Sequence, residues 1–232
     1  MPRPMSAGWG TIVHMNPIVE QVEAVLHAAQ DNSGVAPIVQ AGHPVLRRPA
    51  VAYSGQLSDE QLFGLLEVMR ATMHAAPGVG LAAPQIGIGV RIAVIEDRVR
   101  LPEDQARERG RTPLPFMPLI NPSWQPLSNE RAAFFEGCLS VRGYQAVTAR
   151  FAHVRLRSED PDGNAYSRDF RGWPARIIQH ELDHLDGALY LDRAEIRSLT
   201  ADDNRGLTQG DPVSAAQMLG FSLPPHTPQE KP

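Results

Sequence analysis

The sequence predicts an α+β fold, in which small antiparallel or mixed β-sheets pack around a central helix and a further helix lies at the N-terminus. Three observations support this fold class. Apolar residues recur at helical spacing in three segments, and they alternate with polar residues in several others. A dense run of turn residues joins two of the alternating segments. With 232 residues, 42% of them hydrophobic, the chain is long enough to bury the core of one domain.

Two helices are predicted in the N-terminal third. The first spans residues 16–29, since asparagine followed by proline is typical of an N-cap and the first helical residue. The second starts at Ser58, where Gln61 three residues later completes the pattern of a capping box. Pro77 is expected to end it.

Strands are predicted in the middle of the chain. Residues 90–95 alternate, as a half-buried strand does. Residues 101–118 are charged and then rich in proline, without periodicity, which indicates a surface loop. Residues 153–157 and 165–170 both alternate, and the Asp-Pro-Asp-Gly sequence at 160–163 is strong turn chemistry, so a β-hairpin is expected.

A third helix is predicted between Pro174, in its first turn, and Gly187, just past its end. Beyond it the composition turns to Asp, Gly, Pro, Thr and Gln. We therefore predict a single domain over residues 15–200, a disordered N-terminus over residues 1–14, and a loosely ordered tail over residues 201–232.

Charge and composition exclude several classes of protein. The net charge is −4, so no broad basic surface is expected and direct binding to nucleic acid is not predicted. No stretch approaches the roughly 20 apolar residues of a membrane-spanning helix. The first 15 residues lack the pattern of a secretory signal, and the single cysteine, Cys138, fits a reducing compartment. We therefore expect a cytoplasmic protein.

The third helix carries the sequence His-Glu-Leu-Asp-His at residues 180–184. Histidines four residues apart lie one turn apart on the same helix face, so His180 and His184 can reach one metal ion. Glu181 beside them can contact a water at that ion. Ile178, Leu182 and Leu185 repeat at helical spacing on the opposite face, which supports the helix independently. The central helix is therefore expected to bind metal.

The third ligand distinguishes the classes of hydrolase that share this motif. An extended motif would place a third histidine where this chain has Tyr190, although Gly187 fits its glycine position. A downstream glutamate is a second option, and Glu195 is the only one in range. Cys138 is the remaining soft ligand, and Gly137 before it lets the backbone bend so that the thiolate can be presented. The residues favour Cys138.

A glycine-rich segment at residues 78–87 connects the second helix to the first strand. A phosphate-binding loop would have a strand before it and a helix after it, so the nucleotide interpretation fails. Paired glycines followed by small residues and one glutamine suit a backbone that approaches a ligand closely.

Together these three segments resemble peptide deformylase, the metal hydrolase that removes the formyl group from the initiator methionine of new chains. Residues 78–85, 136–140 and 179–187 match its motifs G-x-G-L-A-A-x-Q, E-G-C-L-S and Q-H-E-x-D-H-L-x-G without a mismatch. The resemblance covers residues 36–197. Features similar to organelle-type deformylases and their bacterial relatives are Pro77, Pro84, Phe134-Phe135 and Gly143-Tyr144.

The resemblance implies a metal centre. Cys138, His180 and His184 would hold one divalent ion, with Fe²⁺ expected in the cell and Zn²⁺, Ni²⁺ or Co²⁺ able to replace it. A thiolate ligand suits such ions. A fourth position would be left for water, whose pKa a dication lowers toward neutrality.

The resemblance also implies the catalytic roles. Glu181 would take a proton from the water and pass it to the departing amine. The backbone N–H of Leu139 and the side-chain amide of Gln85 would stabilise the oxyanion that develops on the formyl oxygen. The protein would thus be a bacterial, cytoplasmic enzyme of N-terminal methionine processing, rather than one of an organelle matrix.

The substrate implied by the resemblance is an N-formylmethionyl nascent peptide, which is cleaved with release of formate. Its main chain would pair with the backbone around Val79 and Gly80 and with the segment after the cysteine. Candidate walls of a methionine pocket are Val79, Leu139, Tyr144 and Ile177. Only a transient encounter with the ribosome is expected, because the C-terminal tail is acidic and carries few cations.

Two other functions stay open from the residues. One is a metallopeptidase that cuts internal peptide bonds, since His-Glu-x-x-His occurs in several unrelated hydrolases. The other is a catalytically silent, metal-stabilised binding module at the ribosome, which would not need Glu181.

Overall fold

The structure is a computed structural model that describes residues 16–208 and 210–223. Its helices are α1 (Pro17–Gln30), α2 (Asp59–Ala75), α3 (Glu103–Glu108), α4 (Gly172–Leu185), α5 (Arg205–Thr208) and α6 (Pro212–Leu219). Its strands are β1 (Gly80–Ala82), β2 (Ile92–Asp97), β3 (Leu114–Pro126), β4 (Arg131–Cys138), β5 (Val141–Phe151), β6 (His153–Glu159), β7 (Ala165–Arg171) and β8 (Thr200–Ala201). The predicted α+β class is confirmed.

The strands form two sheets. One has the order β1-β2-β3-β6-β7 and the other the order β4-β5-β8. Each strand pair within them is antiparallel over the described chain. The expected hairpin is β6–β7, where Glu159 pairs with Ala165 across the turn. Strand β1 lies at the edge of its sheet and pairs only with β2 there.

Helix α4 lies at the centre of the molecule, as predicted. It contacts β1, β2, β3, β6 and β7 of the larger sheet and β5 of the smaller one. Ile178, Leu182 and Leu185 are fully buried in the core between α4 and the larger sheet. A helix packed on both sides holds its side chains rigidly, which a metal site requires.

The N-terminal helix is confirmed and packs against α2. Asn16 caps it by accepting a hydrogen bond from the N–H of Ile18 at 3.0 Å. In α2, Ser58 and Gln61 form the expected capping box through two reciprocal hydrogen bonds of 3.0 and 3.2 Å. The apolar face of α1 is therefore buried by the body of its own chain.

The prediction of a surface loop over residues 101–118 is wrong. Helix α3 occupies part of this segment, and β3 already begins at the buried Leu114. Over its first residues β3 pairs with β2, and its pairing with β6 starts only at Ile120. Proline usually argues against a strand, but it is tolerated where a strand is unpaired on one side. Pro115 and Pro118 lie in this half-paired part of β3, so their presence in the sequence led to the wrong prediction of a loop.

The described part of the predicted tail differs from the expectation of loose order. Strand β8, helix α5 and helix α6 lie within residues 201–223. Asp211 caps α6 by accepting from the N–H groups of Val213 and Ser214, and Pro212 and Ala215 are buried. These elements are too short to produce a periodic pattern in the sequence. Residues 1–14 and 224–232 of the predicted termini lie outside the described residues.

Truncation tests the predicted domain boundary of residues 15–200, and the packing of α5 and α6 leads us to expect that the folded unit extends past residue 200. Deleting residues 1–14 should leave the melting temperature unchanged, because Asn16 already caps α1. Deleting everything after residue 204 should cost about 1–2 kcal/mol of buried contacts and lower the melting temperature by about 2–8 °C. Thermal unfolding followed by circular dichroism measures both. Equal melting temperatures for the full chain and the shorter C-terminal variant would place α5 and α6 outside the folded unit.

Within the described residues, none of the helices is both long and apolar enough to cross a membrane.

Candidate active site

Three side chains meet beside α4. His180 and His184 lie one turn apart, with their ring centroids separated by 5.1 Å. The Sγ of Cys138 lies 3.2 Å from Nε2 of His184. The possible ligand atoms of the three residues all lie within 4.8 Å of one another. The structure therefore brings together the three residues that the sequence predicted as metal ligands.

Cys138 is presented by a distorted hairpin between β4 and β5. The register shifts between Gly137 and Cys138, where the sequence predicted that the backbone bends. Gln40 fixes the turn from outside, since its Nε2 donates to the carbonyl of Leu139 at 3.1 Å. The N–H of Ser140 in turn donates to the cysteine sulfur at 3.4 Å. Gln40 carried no signal in the sequence analysis.

The other candidates for a third ligand have different roles. Glu195 accepts a hydrogen bond from the N–H of Arg197 and caps a short 3₁₀ turn. The ring of Tyr190 stacks on that of His180 at 6.2 Å, and its hydroxyl donates to the carbonyl of Tyr144. Among the described residues, Glu195 is not part of the ligand group.

Glu181 lies buried next to the ligands, with 4% of its surface exposed. A Cβ on residue 80 would overlap its carboxylate, so glycine is required at Gly80 for the two segments to approach. The Oε2 of Glu181 has no hydrogen-bond partner among the described residues. Burial raises the pKa of Glu181 to about 7, against the opposing influence of His180 and Arg150.

Gln85 lies in a 3₁₀ turn after β1, with 1% of its surface exposed. Its Oε1 accepts from the N–H of Ala82 at 2.9 Å. This bond directs its Nε2 toward the Sγ of Cys138 at 3.6 Å and the hydroxyl of Ser140 at 3.4 Å. The amide therefore presents a donor next to the ligand group, while the role predicted for Gln85 stays a prediction.

A buried ionic network lies behind His180. Glu136 accepts from Nδ1 of His180 at 3.1 Å and pairs with the guanidinium groups of Arg150 and Arg176. Burial alone would raise the pKa of Glu136, but the two arginines hold it well below its usual range. Arg150 also pairs with Asp183. The ionised carboxylate can only accept, so it fixes the proton of His180 on Nδ1 and leaves Nε2 free.

The predicted substrate-binding residues lie in different environments. Gly80 borders Glu181 in the edge strand β1, and Val79 before it is half-buried. Leu139 lies close to Gly78, where an added Cβ would come within 2.9 Å of its side chain. Tyr144 is 48% exposed, whereas Ile177 is buried in the core under α4. Their roles toward a substrate stay predictions.

The donor set fits a divalent metal ion. A thiolate and two imidazoles are the ligands that zinc and ferrous iron accept. Burial and the neighbouring His180 lower the pKa of His184 well below its usual value, so its imidazole is neutral, which is the form that binds metal. Glu181 follows the ligand His180 directly in α4, and its Oε2 has no hydrogen-bond partner among the described residues.

Comparison with known proteins decides the family. The sequence profile of the family described as polypeptide deformylase matches residues 35–199. The chain belongs to the peptide deformylase family. Peptide deformylase 3 of Streptomyces avermitilis is 56% identical to this deformylase over 210 residues, which cover 90% of the chain and 92% of the relative.

Two further relatives differ in origin. Peptide deformylase 1A of Solanum lycopersicum, a chloroplastic protein, is 42% identical over 175 residues, covering 73% of this deformylase and 63% of the relative. The crystal structure of a class I type b peptide deformylase from Acinetobacter baumannii bound to Met-Ala-Ser is 32% identical, with a TM-score of 0.63. It covers 68% of this deformylase and 98% of its own chain.

These similarities confirm the resemblance found in the sequence and, with it, the general function. The deformylase is a metal-dependent hydrolase that removes formyl groups. Its Cys138, His180 and His184 form the group that could hold the ion.

Proposed function

We propose that this deformylase removes the N-formyl group from formylmethionine at the start of newly synthesised polypeptides in the bacterial cytoplasm. One observation supports the proposal: the amide of Gln85 lies next to Cys138 of the ligand group, and Glu181, which follows His180 on α4, is buried against Gly80 of the edge strand β1. Bacterial relatives with high identity support the cellular setting. The Met-Ala-Ser bound to the Acinetobacter baumannii enzyme supports the choice of methionyl peptide.

Cys138, His180 and His184 would hold the metal ion. Fe²⁺ is proposed in the cell, with Zn²⁺, Ni²⁺ or Co²⁺ as replacements, because a thiolate beside two imidazoles suits these ions. When bound, the ion supplies Lewis-acid polarisation of the formyl carbonyl and makes water easier to deprotonate.

Glu181 would act as general base and then as general acid. Its carboxylate takes a proton from the attacking water and passes it to the nitrogen that leaves when the formyl C–N bond breaks. A general base works best with a pKa near the working pH, and burial moves the pKa of Glu181 in that direction. Gly80 allows the carboxylate to lie against the backbone that borders the substrate.

Gln85 and Leu139 would stabilise the charge that develops on the formyl oxygen. The Nε2 of Gln85 is already oriented by the bond from Ala82 to its Oε1, so it needs no reorganisation during the reaction. Leu139 follows Cys138 in a turn that Gln40 and Ser140 hold in place. Fixed donors of this kind act most strongly where charge forms in a buried site.

The peptide substrate would bind in extended form along the free edge of β1. The carbonyl of Val79 accepts from the N–H of Glu96 in β2, so the backbone groups of the next residue, Gly80, are the ones offered at this edge. Main-chain pairing gives affinity without reading side chains. Selectivity for methionine would come from an apolar pocket to which Val79, Leu139, Tyr144 and Ile177 contribute. Of these, Val79 and Leu139 have the strongest support, because Val79 is half-buried within the glycine-rich segment and Leu139 is half-buried beside Gly78.

Contact with the ribosome is proposed to be transient. Within residues 201–223 the acidic Asp202, Asp203 and Asp211 outnumber the single cation Arg205, so this end of the chain offers little attraction to phosphates. Sedimentation with ribosomes at physiological salt would test this, and stable co-sedimentation would contradict it.

The test of the proposed function compares two substrates, formyl-Met-Ala-Ser and acetyl-Met-Ala-Ser. Formyl-Met-Ala-Ser should release formate and leave Met-Ala-Ser intact, while acetyl-Met-Ala-Ser should react far more slowly. Formate is measured with a coupled assay and the peptides by mass spectrometry. Cleavage at the internal peptide bonds would instead favour a metallopeptidase, and no reaction with a metal-loaded chain would favour the silent binding module.

Substitution of Gln85 tests the role of its amide. Gln85→Leu should lower both kcat and kcat/KM by about 10²-fold while KM changes little, since the donor acts mainly on the transition state. Gln85→Glu keeps the acceptor for the N–H of Ala82 and removes the donor, so it should show a similar loss. Gln125→Leu, on the exposed surface of β3, is the control. A change confined to KM would assign Gln85 to substrate binding.

A further inference from the structure

We propose that Arg176 is a positioning residue for His180, acting through Glu136, and that it raises the affinity of the site for its metal ion. The inference rests on the proposed role of His180 as a ligand. Arg176 belongs to none of the three family motifs, and the sequence analysis gave it no role.

Arg176 lies one turn before His180 on α4 and is buried, with 4% of its surface exposed. Its Nη1 contacts Oε1 of Glu136 and donates to the carbonyl of Thr148 at 2.8 Å. Its Nη2 donates to the carbonyl of Ala132 at 2.5 Å. One guanidinium group therefore ties α4 to both β4 and β5, the two strands that present Cys138.

Glu136 transmits this constraint to the ligand. Its Oε2 accepts from Nδ1 of His180 at 3.1 Å, while its Oε1 is held by Arg176 and by Nε of Arg150 at 3.0 Å. A carboxylate that is fixed at one oxygen cannot turn away from the imidazole that binds the other. The Nε2 of His180 is thereby aimed at the ligand group.

Arg150 shares the contact with Glu136, donating from Nε to Oε1 and from Nη2 to Oε2 at 2.8 Å. Its Nη1 pairs with Asp183 at 2.5 Å, so its charge is shared between two carboxylates. Arg176 pairs with Glu136 alone among the carboxylates of the described chain. Its guanidinium also lies over the rings of Phe134 and Trp173, with its central carbon 5.2 and 5.6 Å from their centroids. The planar group is thus held in one orientation, which a lysine would not reproduce.

The test measures metal affinity in Arg176→Met. The dissociation constant for Zn²⁺, obtained by competition with a chromogenic chelator, should rise about 10–100-fold, as is typical when a partner behind a metal ligand is removed. The visible absorption of the Co²⁺-loaded variant should shift as well, because the ligand geometry changes. Arg155→Met is the matched control, since Arg155 forms an exposed ion pair with Asp169, and it should leave the Zn²⁺ affinity unchanged.

A double substitution separates positioning from simple stabilisation. If Arg176 acts through Glu136, the effect of Arg176→Met on Zn²⁺ affinity should largely disappear in a Glu136→Gln background. An undiminished effect in that background would overturn the inference. So would a lower melting temperature for Arg176→Met with an unchanged Zn²⁺ affinity and Co²⁺ spectrum.

Arg176→Lys decides the question if Arg176→Met does not fold. A lysine keeps the charge beside Glu136 but cannot span the two carbonyl groups, so a several-fold weaker Zn²⁺ affinity is expected. An affinity equal to that of the unmodified chain would overturn the inference. Failure of the unmodified chain to bind Zn²⁺ would instead contradict the proposed function.

Discussion

Glu181→Gln is expected to lower kcat by about 10²–10⁴-fold while the metal ion stays bound. Glutamine keeps the shape of the side chain beside Gly80 but cannot take a proton from water. Since Glu181 is not one of the three ligands, the ion should be held at least as tightly as in the unmodified chain. Substrate should still bind, because the edge of β1 is unchanged.

Three measurements check this result: the rate of formate release, the metal content after dialysis, and the affinity for Met-Ala-Ser. Glu67→Gln is the matched control, because Glu67 lies exposed on α2. Full activity in Glu181→Gln would contradict the proposed mechanism. Loss of the metal from this variant would assign Glu181 to the ligands instead.

Cys138→Ala is expected to remove the metal ion and, with it, the activity. The two histidines that remain carry no negative charge, and a site of three protein ligands loses one of them. Metal analysis after dialysis should find almost no Fe²⁺ or Zn²⁺. Stoichiometric metal in the purified variant would show that Cys138 is not a ligand.

Cys138→Asp is the companion variant. It restores a charged ligand of a harder kind, so we expect it to retain metal while losing much of the activity. Metal content and rate, measured on the same preparation, separate the two effects. A variant that lost the metal as completely as Cys138→Ala would show that the thiolate, and not charge alone, is required.

The site could be predicted from sequence because most of its residues lie in short, contiguous motifs. His180, Glu181 and His184 depend only on the geometry of one helix, and that helix was supported by its own apolar stripe. The cysteine segment alone does not indicate a metal ligand, and only its combination with the histidine motif on this helix does. Elements of the fold were also predicted correctly where the sequence pattern is local, as in the capping box of α2 and the turn of the β6–β7 hairpin.

The sequence did not reveal features that depend on contacts between distant segments. Strand β3 was missed because its prolines are typical of a loop. They are tolerated only because one edge of the strand is unpaired where they lie, which depends on the sheet and not on the local sequence. Gln40 fixes the cysteine turn from a segment far away in the chain. Tyr190 occupies the position at which the extended zinc motif has its third histidine, and it stacks on His180 instead of binding metal. Arg176 has the i, i+4 spacing to His180, but its partner Glu136 comes from another strand. No local pattern encodes such pairings.

The central claim is that one metal ion, held by Cys138, His180 and His184, is needed to remove the formyl group. The most direct test strips the metal from the full chain, adds Fe²⁺ back stepwise without oxygen, and measures formate released from formyl-Met-Ala-Ser. We predict no formate from the stripped chain and a rate that rises to a break at about one ion per chain. Full formate release without metal would contradict the claim, as would a fully loaded chain that releases none.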